Sequence, residues 1–311
     1  MEISIVIPVY NEGEPLIILY ERLVKVLSNH FSSYEIILID DRSPDDSWLV
    51  MKRIAKMDQQ VKIARFIKNF GQHNALSAGI AMASGEYIVL MDCDQQDEPE
   101  NIPALYNSLV EKKVHIIYAL RENRKDGFFK RFFSILLNFI LEKLSGFKHD
   151  PRIGTFRIFT KVVRNSFLSM PERNRYIGGM FFWLNFNFAL LPVEHSERKF
   201  GKSNYNFRKQ LKLARLGILS SSTKLLSIGV YLGIITSILS LLFGLYYVYL
   251  NFRYSVPIGY TSLIVSIFLS TGMILFVIGI LGEYIREVYE EVKRRPSYIV
   301  EEQINFKNEQ E

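Results

Sequence analysis

Short apolar runs recur up to about position 120, separated by stretches in which apolar residues return at helical spacing. The runs at 3–8, 35–39, 62–66, 87–91 and 115–119 read as strands. The stretches around 14–28, 46–57, 73–83 and 99–112 read as helices. Pro44 precedes the second of these, and Asp45 or Asp46 can cap it. Strand and helix in alternation predict an α/β domain, a largely parallel sheet with helices on both faces.

The pattern changes near the C-terminus. Between Lys224 and Arg253 lie 28 residues without a charge, and between Arg253 and Glu283 another 29. About 20 mostly apolar residues suffice to cross a bilayer, so two transmembrane helices are expected. Eight Lys and Arg and no acid fall from Arg198 to Lys224, and Arg286, Lys293, Arg294 and Arg295 follow the second run. Only Arg253 lies between the runs. The positive-inside rule then puts both termini in the cytoplasm, at the inner membrane, joined by a short outer hairpin. Met1 leads directly into the first strand, so no secretory leader is expected. The boundaries that follow are a cytosolic domain at 1–205, a basic amphipathic segment at 206–224, a two-helix hairpin at 225–285 and a cytosolic tail at 286–311.

A third apolar stretch, about 127–147, mixes Phe128, Phe129, Phe132 and Phe133 with Lys130 and Arg131. Its charge-free part is too short to span. It reads as a helix lying in the membrane interface, with a core helix as the alternative.

Composition sharpens this outline without changing it. Hydrophobic residues make up 49% of 311, too many for a disordered chain. The single cysteine, Cys93, excludes an internal disulfide and a four-thiolate zinc site, and the acids beside it disfavour a thiolate nucleophile. The net charge of +6 would suit nucleic acid or an anionic membrane. The basic residues flank the apolar runs, which accounts for them without nucleic acid.

In sheets of this kind ligands bind beyond the carboxyl ends of the strands. That rule singles out Tyr10, Asn11 and Glu12 after the first strand, and Asp40 and Asp41 after the second. It adds Asp92 and Asp94 after the fourth, and Arg121 and Arg124 after the fifth. Acids gathered on one edge raise one another's pKa unless a cation joins them, and oxygen ligands suit Mg²⁺ or Mn²⁺. Such a metal beside arginines suits a diphosphate. No P-loop and no G-x-G-x-x-G follows a strand, so neither an ATPase nor a dinucleotide site has support. His73 receives no chemical role.

These residues resemble a known family. Ser4-Ile5-Val6-Ile7-Pro8-Val9-Tyr10-Asn11-Glu12, Ile39-Asp40-Asp41-Arg42-Ser43, Asn69-Phe70-Gly71 and Met91-Asp92-Cys93-Asp94-Gln95-Gln96-Asp97 are similar to glycosyltransferase family 2. Gly154-Thr155-Phe156-Arg157, Pro171-Glu172-Arg173, Gly201-Lys202-Ser203-Asn204-Tyr205 and Leu281-Gly282-Glu283-Tyr284 narrow the resemblance. With two spans, the chain resembles the bacterial polyisoprenyl-phosphate glycosyltransferases, relatives of dolichyl-phosphate mannose synthase, in their undecaprenyl-phosphate glucosyltransferase branch.

The resemblance implies a GT-A cytosolic domain (a Rossmann-like, mostly parallel sheet) with interfacial helices and two C-terminal transmembrane helices. It implies Pro8, Tyr10, Glu12, Asp41, Asp92 and Arg121 at the nucleotide sugar, and Asp92, Asp94 and Gln96 at a divalent metal, Mg²⁺ or Mn²⁺. Asp94, Arg157 and Arg198 are then catalytic, and Lys130, Arg131 and Ser203 contact the acceptor or the membrane. Arg42 stands where the family usually has Gly, Thr155 where the glucosyl branch commonly has Asp, and Asn204 where Ser-Lys-Tyr is usual. The implied reaction is inverting transfer of a hexose from a nucleotide sugar, with UDP-glucose the leading donor, to polyprenyl phosphate in the bilayer. A homo-oligomer is expected. Another membrane acceptor, such as diacylglycerol, and a non-catalytic nucleotide-binding scaffold are the alternatives.

Overall fold

The computed structural model describes residues 1–121, 152–193, 224–254 and 259–306. An eight-stranded sheet runs through the first domain in the order β7-β5-β6-β4-β1-β2-β3-β8. The strands are β1 Ile3–Val9, β2 Tyr34–Asp40, β3 Val61–Phe66, β4 Tyr87–Leu90, β5 Ile116–Arg121, β6 Ile153–Thr160, β7 Phe188–Val193 and β8 Val300–Ile304. The helices are α1 Gly13–His30, α2 Ser47–Met57, α3 Gln72–Met82, α4 Ile102–Lys112, α5 Lys161–Leu168, α6 Ile177–Trp183, α7 Lys224–Tyr254 and α8 Tyr260–Val292. Strands β4, β1, β2 and β3 are mutually parallel. The flanking strands β6 and β8 run antiparallel to them.

Alternate residues of β1 face opposite layers. Ile3, Ile5, Ile7 and Val9 pack with α1, α2 and α4, whereas Val6 joins the layer built on α3, α5 and α6. Helix α3 lies so close to β1 that a Cβ on Gly79 would overlap Val6 Cγ1. Both faces of the sheet are covered, which is why the central strands are continuous apolar runs.

One polar cluster is built into this core. Glu35, fully buried in β2, accepts from Ser4 Oγ at 2.5 Å, Lys62 Nζ at 2.5 Å, Ser84 N at 2.6 Å and Ser84 Oγ at 2.8 Å. Ser4 Oγ in turn accepts from Gly85 N at 2.8 Å. The carboxylate is held below its usual range by these hydrogen bonds, against the upward push of burial.

The C-terminal end differs from the sequence expectation. Residues 286–311 read there as a tail. In the structure α8 continues to Val292, and β8 then closes the sheet beside β3. Asn305, at φ 65°, donates through Nδ2 to Ala55 O at 2.7 Å and Val61 O at 2.8 Å. Lys52 pairs with Glu302 at 2.8 Å, and Arg42 with Glu301. The strand is polar and sits at an edge, so it lacks the apolar run that reveals a central strand.

Helices α7 and α8 are each long and apolar enough to cross a membrane, over 229–246 and 269–292. Large side chains such as Leu241 and Leu269 are about two-thirds exposed along them (64% and 67%), as an apolar solvent would require. The expected interfacial helix and the basic segment at 206–223 lie outside the described residues.

Candidate active site

The site forms where the sheet order reverses. From β1 the chain moves outward through β2 and β3, and β4 then returns to the other side of β1. The β1–β4 pairing stops at Val6 and Leu90, whereas the β1–β2 pairing runs on to Val9 and Asp40. Pro8 lies in the stretch paired on one side only. Its missing N–H therefore costs no ladder bond, and a crevice opens beside it.

Two loops line one wall. Asn11, at φ 60°, gives its backbone N–H to Ser43 Oγ at 3.1 Å, and Glu12 gives its own to Ser47 Oγ at 3.0 Å. Asp45 accepts from Ser47 N at 3.2 Å and from Ser47 Oγ at 2.5 Å, so it is Asp45 whose side chain bonds the first turn of α2. The β1–α1 loop is thus stitched to the β2–α2 loop, leaving Tyr10 45% exposed at the rim.

Asp40 and Asp41 end β2 differently. Asp40 turns back into the fold, accepting from Ser43 N at 2.9 Å. Arg65 Nε stands 3.0 Å from its Oδ2, an ion pair by distance whose angle is too poor for a hydrogen bond. Asp41, 3% exposed, accepts Phe70 N at 2.6 Å and Gly71 N at 2.8 Å. Burial pushes its carboxyl up to about 6, the two amides pull it down, and Asp40 adds a smaller upward push. The Asn69-Phe70-Gly71 motif therefore has a visible job: Gly71, at φ 94°, turns the backbone so that two successive amides meet one carboxylate. Arg42 adopts φ 61°, the left-handed region where the family's usual Gly is at ease, and its side chain is engaged by Glu301.

The β4–α4 loop forms the opposite wall. Asp92 Oδ1 accepts from Gln72 Nε2 at 2.8 Å, and Asp94 Oδ1 accepts from Gln96 N at 3.2 Å. Gln95, at φ 61°, is buried and donates to Pro15 O at 2.9 Å, which anchors the loop to α1. Asp97 is also buried, and its Oδ2 lies 3.4 Å from Asp92 N. Cys93 is fully enclosed, and burial first, then Glu12, Asp94, Asp92 and Asp45, raise its thiol far above the ordinary value. It stays a neutral thiol.

Arg157 lies beneath this loop, on β6 opposite Leu90. It is 5% exposed and its guanidinium stacks 5.1 Å from the rings of both Tyr118 and Phe181. Its Nε donates to Thr155 O at 3.0 Å and Nη2 to Gly154 O at 2.7 Å. Nη1 has no hydrogen-bond partner among the described residues. Burial lowers its pKa, while Tyr118, Tyr176, Asp92 and Asp97 oppose that shift. Thr155 serves through its carbonyl, so this contact is indifferent to the side chain at that position. His73 completes the group, pushed down to about 4 by burial and then by Arg157, with Tyr176 edge-on at 5.5 Å. At neutral pH it is an uncharged spacer between the Tyr176 ring and the Arg157 cation.

Pro8, Tyr10, Glu12, Asp41, Asp92, Asp94 and Gln96 therefore share one sheet edge, and Arg157 supports it from below. Arg121 ends β5, described through its backbone. Arg124, Arg198, Lys130, Arg131 and Ser203 lie outside the described residues. The sequence reading gave no role to Gln72, His73, Asp97 or Tyr176. Asp97 does close the Asp92-Cys93-Asp94-Gln95-Gln96-Asp97 motif, and Gln72 and His73 directly follow Asn69-Phe70-Gly71, whereas nothing near Tyr176 signalled it. No group of three or more metal-ligating side chains converges among the described residues. The donor set itself, two aspartates one residue apart at a strand end, suits a hard cation that takes its remaining ligands from phosphate and water.

An uncharacterized glycosyltransferase of Synechocystis is 35% identical over 302 residues, 96% of this chain and 95% of its own. The prophage-derived bactoprenol glucosyl transferase of Shigella flexneri is 34% identical over 96% of this chain and 97% of its own. Glucosyl-3-phosphoglycerate synthase from Mycobacterium tuberculosis, solved with Mn²⁺, UDP and glucosyl-3-phosphoglycerate, superposes with a TM-score of 0.51 at 17% identity. That match covers 70% of this chain and 77% of the other, and it shows the shared GT-A fold. The glycosyl transferase family 2 signature matches residues 4–167, which with the full-length relatives places this chain in that family.

Proposed function

We propose that this protein transfers glucose from UDP-glucose to a polyprenyl phosphate, with inversion, at the cytoplasmic face of the inner membrane. The observation that carries the reading is the near-full-length similarity to bactoprenol glucosyl transferases, which extends through both apolar helices. A donor-only likeness would have ended ahead of α7.

The residues divide the work as follows. Tyr10 and the stitched Asn11–Ser43 and Glu12–Ser47 loops form a slot for the nucleoside. Asp41 offers its carboxylate to an imide N–H, since each oxygen keeps a lone pair after meeting Phe70 and Gly71. Asp92 and Asp94 would hold Mg²⁺ or Mn²⁺, which supplies positive charge to the departing diphosphate. Gln72 and the Gln96 amide fix those carboxylates before the donor arrives, so little reorganisation remains at the moment of reaction. Arg157 places a buried cation below the same edge, with Nη1 unspent. The acceptor phosphate is already largely ionised near neutral pH, by analogy with a phosphomonoester whose second pKa is about 6. It needs no strong base, consistent with a neutral His73 and a protonated Cys93. Crossing of the membrane by α7 and α8, with both termini cytoplasmic, would keep this edge near the lipid headgroup.

The test is a panel of nucleotide sugars incubated with undecaprenyl phosphate and the full chain, with the lipid product read by mass. UDP-glucose should give hexosyl-phosphoryl-undecaprenol. Chelation should stop turnover, and Asp94→Ala should lower it at least about 100-fold. Undiminished transfer by Asp94→Ala would remove the metal assignment, and product only with diacylglycerol would remove the acceptor.

A further inference from the structure

A cavity of about 360 Å³ lies away from the donor crevice, between α3, the end of α5 and the segment that follows α8. Ser77, Leu168, Arg175, Pro296, Ser297 and Tyr298 line it, and no carboxylate does among the described residues. Arg175 is fixed in place: Nη2 donates to Met170 O at 3.1 Å, and the guanidinium lies 5.2 Å from the Phe167 ring. Its Nη1 is buried with no hydrogen-bond partner among the described residues. The Tyr298 ring, stacked on Phe66 at 5.3 Å, closes another side.

The nearby acids are engaged elsewhere. Arg173 N donates to Glu291 Oε1 at 2.8 Å, Arg173 Nη1 pairs with Glu290, and Asn174 Nδ2 donates to Glu287. The 171–176 loop thus grips the end of α8 through Arg173 and Asn174 and leaves Arg175 at a cavity whose mixed lining includes Ser297 and Tyr298. A buried guanidinium atom without an acceptor is costly, and planar N–H donors beside hydroxyls match phosphate oxygens.

We propose that this cavity binds a phosphate group through Arg175, Ser297 and Tyr298, as a second anion site separate from the donor site. Its position favours a role in bracing. The anion would tie the segment leaving α8 to the loop whose Tyr176 packs on His73. Ser77 stands one helical turn from His73 and donates to its carbonyl at 2.8 Å. Two sources share the chemistry, a phospholipid headgroup and a free phosphate.

The experiment compares thermal unfolding of the full chain in phosphatidylcholine nanodiscs, with inorganic phosphate against chloride at equal ionic strength. A second arm replaces part of the phosphatidylcholine by phosphatidylglycerol without added phosphate. Wild type should gain about 3–6 °C at roughly tenfold excess over Kd. Arg175→Gln should lose that gain. Ser297→Asp supplies an internal carboxylate, so it should melt higher than wild type without phosphate and show no further response. A response to inorganic phosphate assigns a soluble anion, and a response to phosphatidylglycerol alone assigns a headgroup. Equal shifts in wild type and both variants, or no shift in either arm, would overturn the proposal. Should Arg175→Gln not fold, the response of Ser297→Asp decides.

Discussion

With Asp41 holding the donor base as proposed above, donor affinity and fold stability should move in opposite directions with pH. Its carboxyl rises from 3.8 to about 6 because burial outweighs the two amides that bond it. An acid shifted that far is about 3 kcal/mol less stable as an anion in the fold than in the open chain. The native state therefore holds this proton more tightly than the unfolded state. The group's stabilising contribution is complete below pH 3.8 and is lost as pH climbs through about 6. Binding of a base through its imide N–H needs the anion, so affinity is complete above about 6 and falls below it. Between pH 7.5 and pH 5 the ionised fraction drops from about 97% to about 9%, which weakens Kd about tenfold, or ~1.4 kcal/mol. Calorimetric titration with UDP-glucose reads this directly, because its diphosphate is doubly esterified and does not titrate in that range. Asp41→Asn should bind weakly at every pH with a flat profile. It also loses one of the two amide bonds, since an amide group presents only one acceptor oxygen. A wild-type Kd that stays level from pH 5 to 7.5, or an identical slope in the variant, would refute the reasoning.

Other perturbations have equally definite outcomes. Glu35→Ala should cost about 3–5 kcal/mol in denaturant unfolding, because it strands Lys62 in a half-buried position and leaves Ser84 N without its acceptor. For wild type, the stability that Glu35 confers should be present above its unfolded value near 4.5 and be lost as pH falls through the lower native value. Gly79→Ala should cost about 1–3 kcal/mol, since its methyl would overlap Val6 Cγ1 and push α3 off β1. Arg157→Met should keep the stack against Tyr118 and Phe181 and leave UDP-glucose affinity near normal, while kcat falls; a matched drop in affinity and unchanged kcat would place its role in donor binding.

The parallel half of the fold was legible because both faces of its strands are covered. Ile3–Val9, Tyr34–Asp40 and Val61–Phe66 are mostly apolar, and their ends fall within about two residues of the expected positions. The antiparallel strands were not placed. In β6 the buried Arg157 interrupts what would otherwise read as a core strand, and its burial is made tolerable by the aromatic pair around it and by the Gly154 and Thr155 carbonyls it bonds. Strand β8, Val-Glu-Glu-Gln-Ile, is mostly polar because one edge faces water, so its pairing is set by backbone and by partners such as Lys52 and Arg42 far along the chain. The same logic separates the site residues. Asp92 and Asp94 announced themselves at the end of an apolar run, whereas Gln72, His73 and Tyr176 reach the site only through tertiary packing.

The order of these strands bears on how the protein can be made and cut. Until β8 has been synthesised, after both apolar helices, the outer rim of β3 has no neighbour to pair with. A nascent chain must carry that bare rim through the whole stage of bilayer insertion. A water-soluble fragment ending ahead of α7 would carry it permanently, with Arg65 deprived of Glu301 and the Ala55 and Val61 carbonyls deprived of Asn305. Such a fragment should self-associate edge to edge, so the enzyme is best studied with its last residues attached.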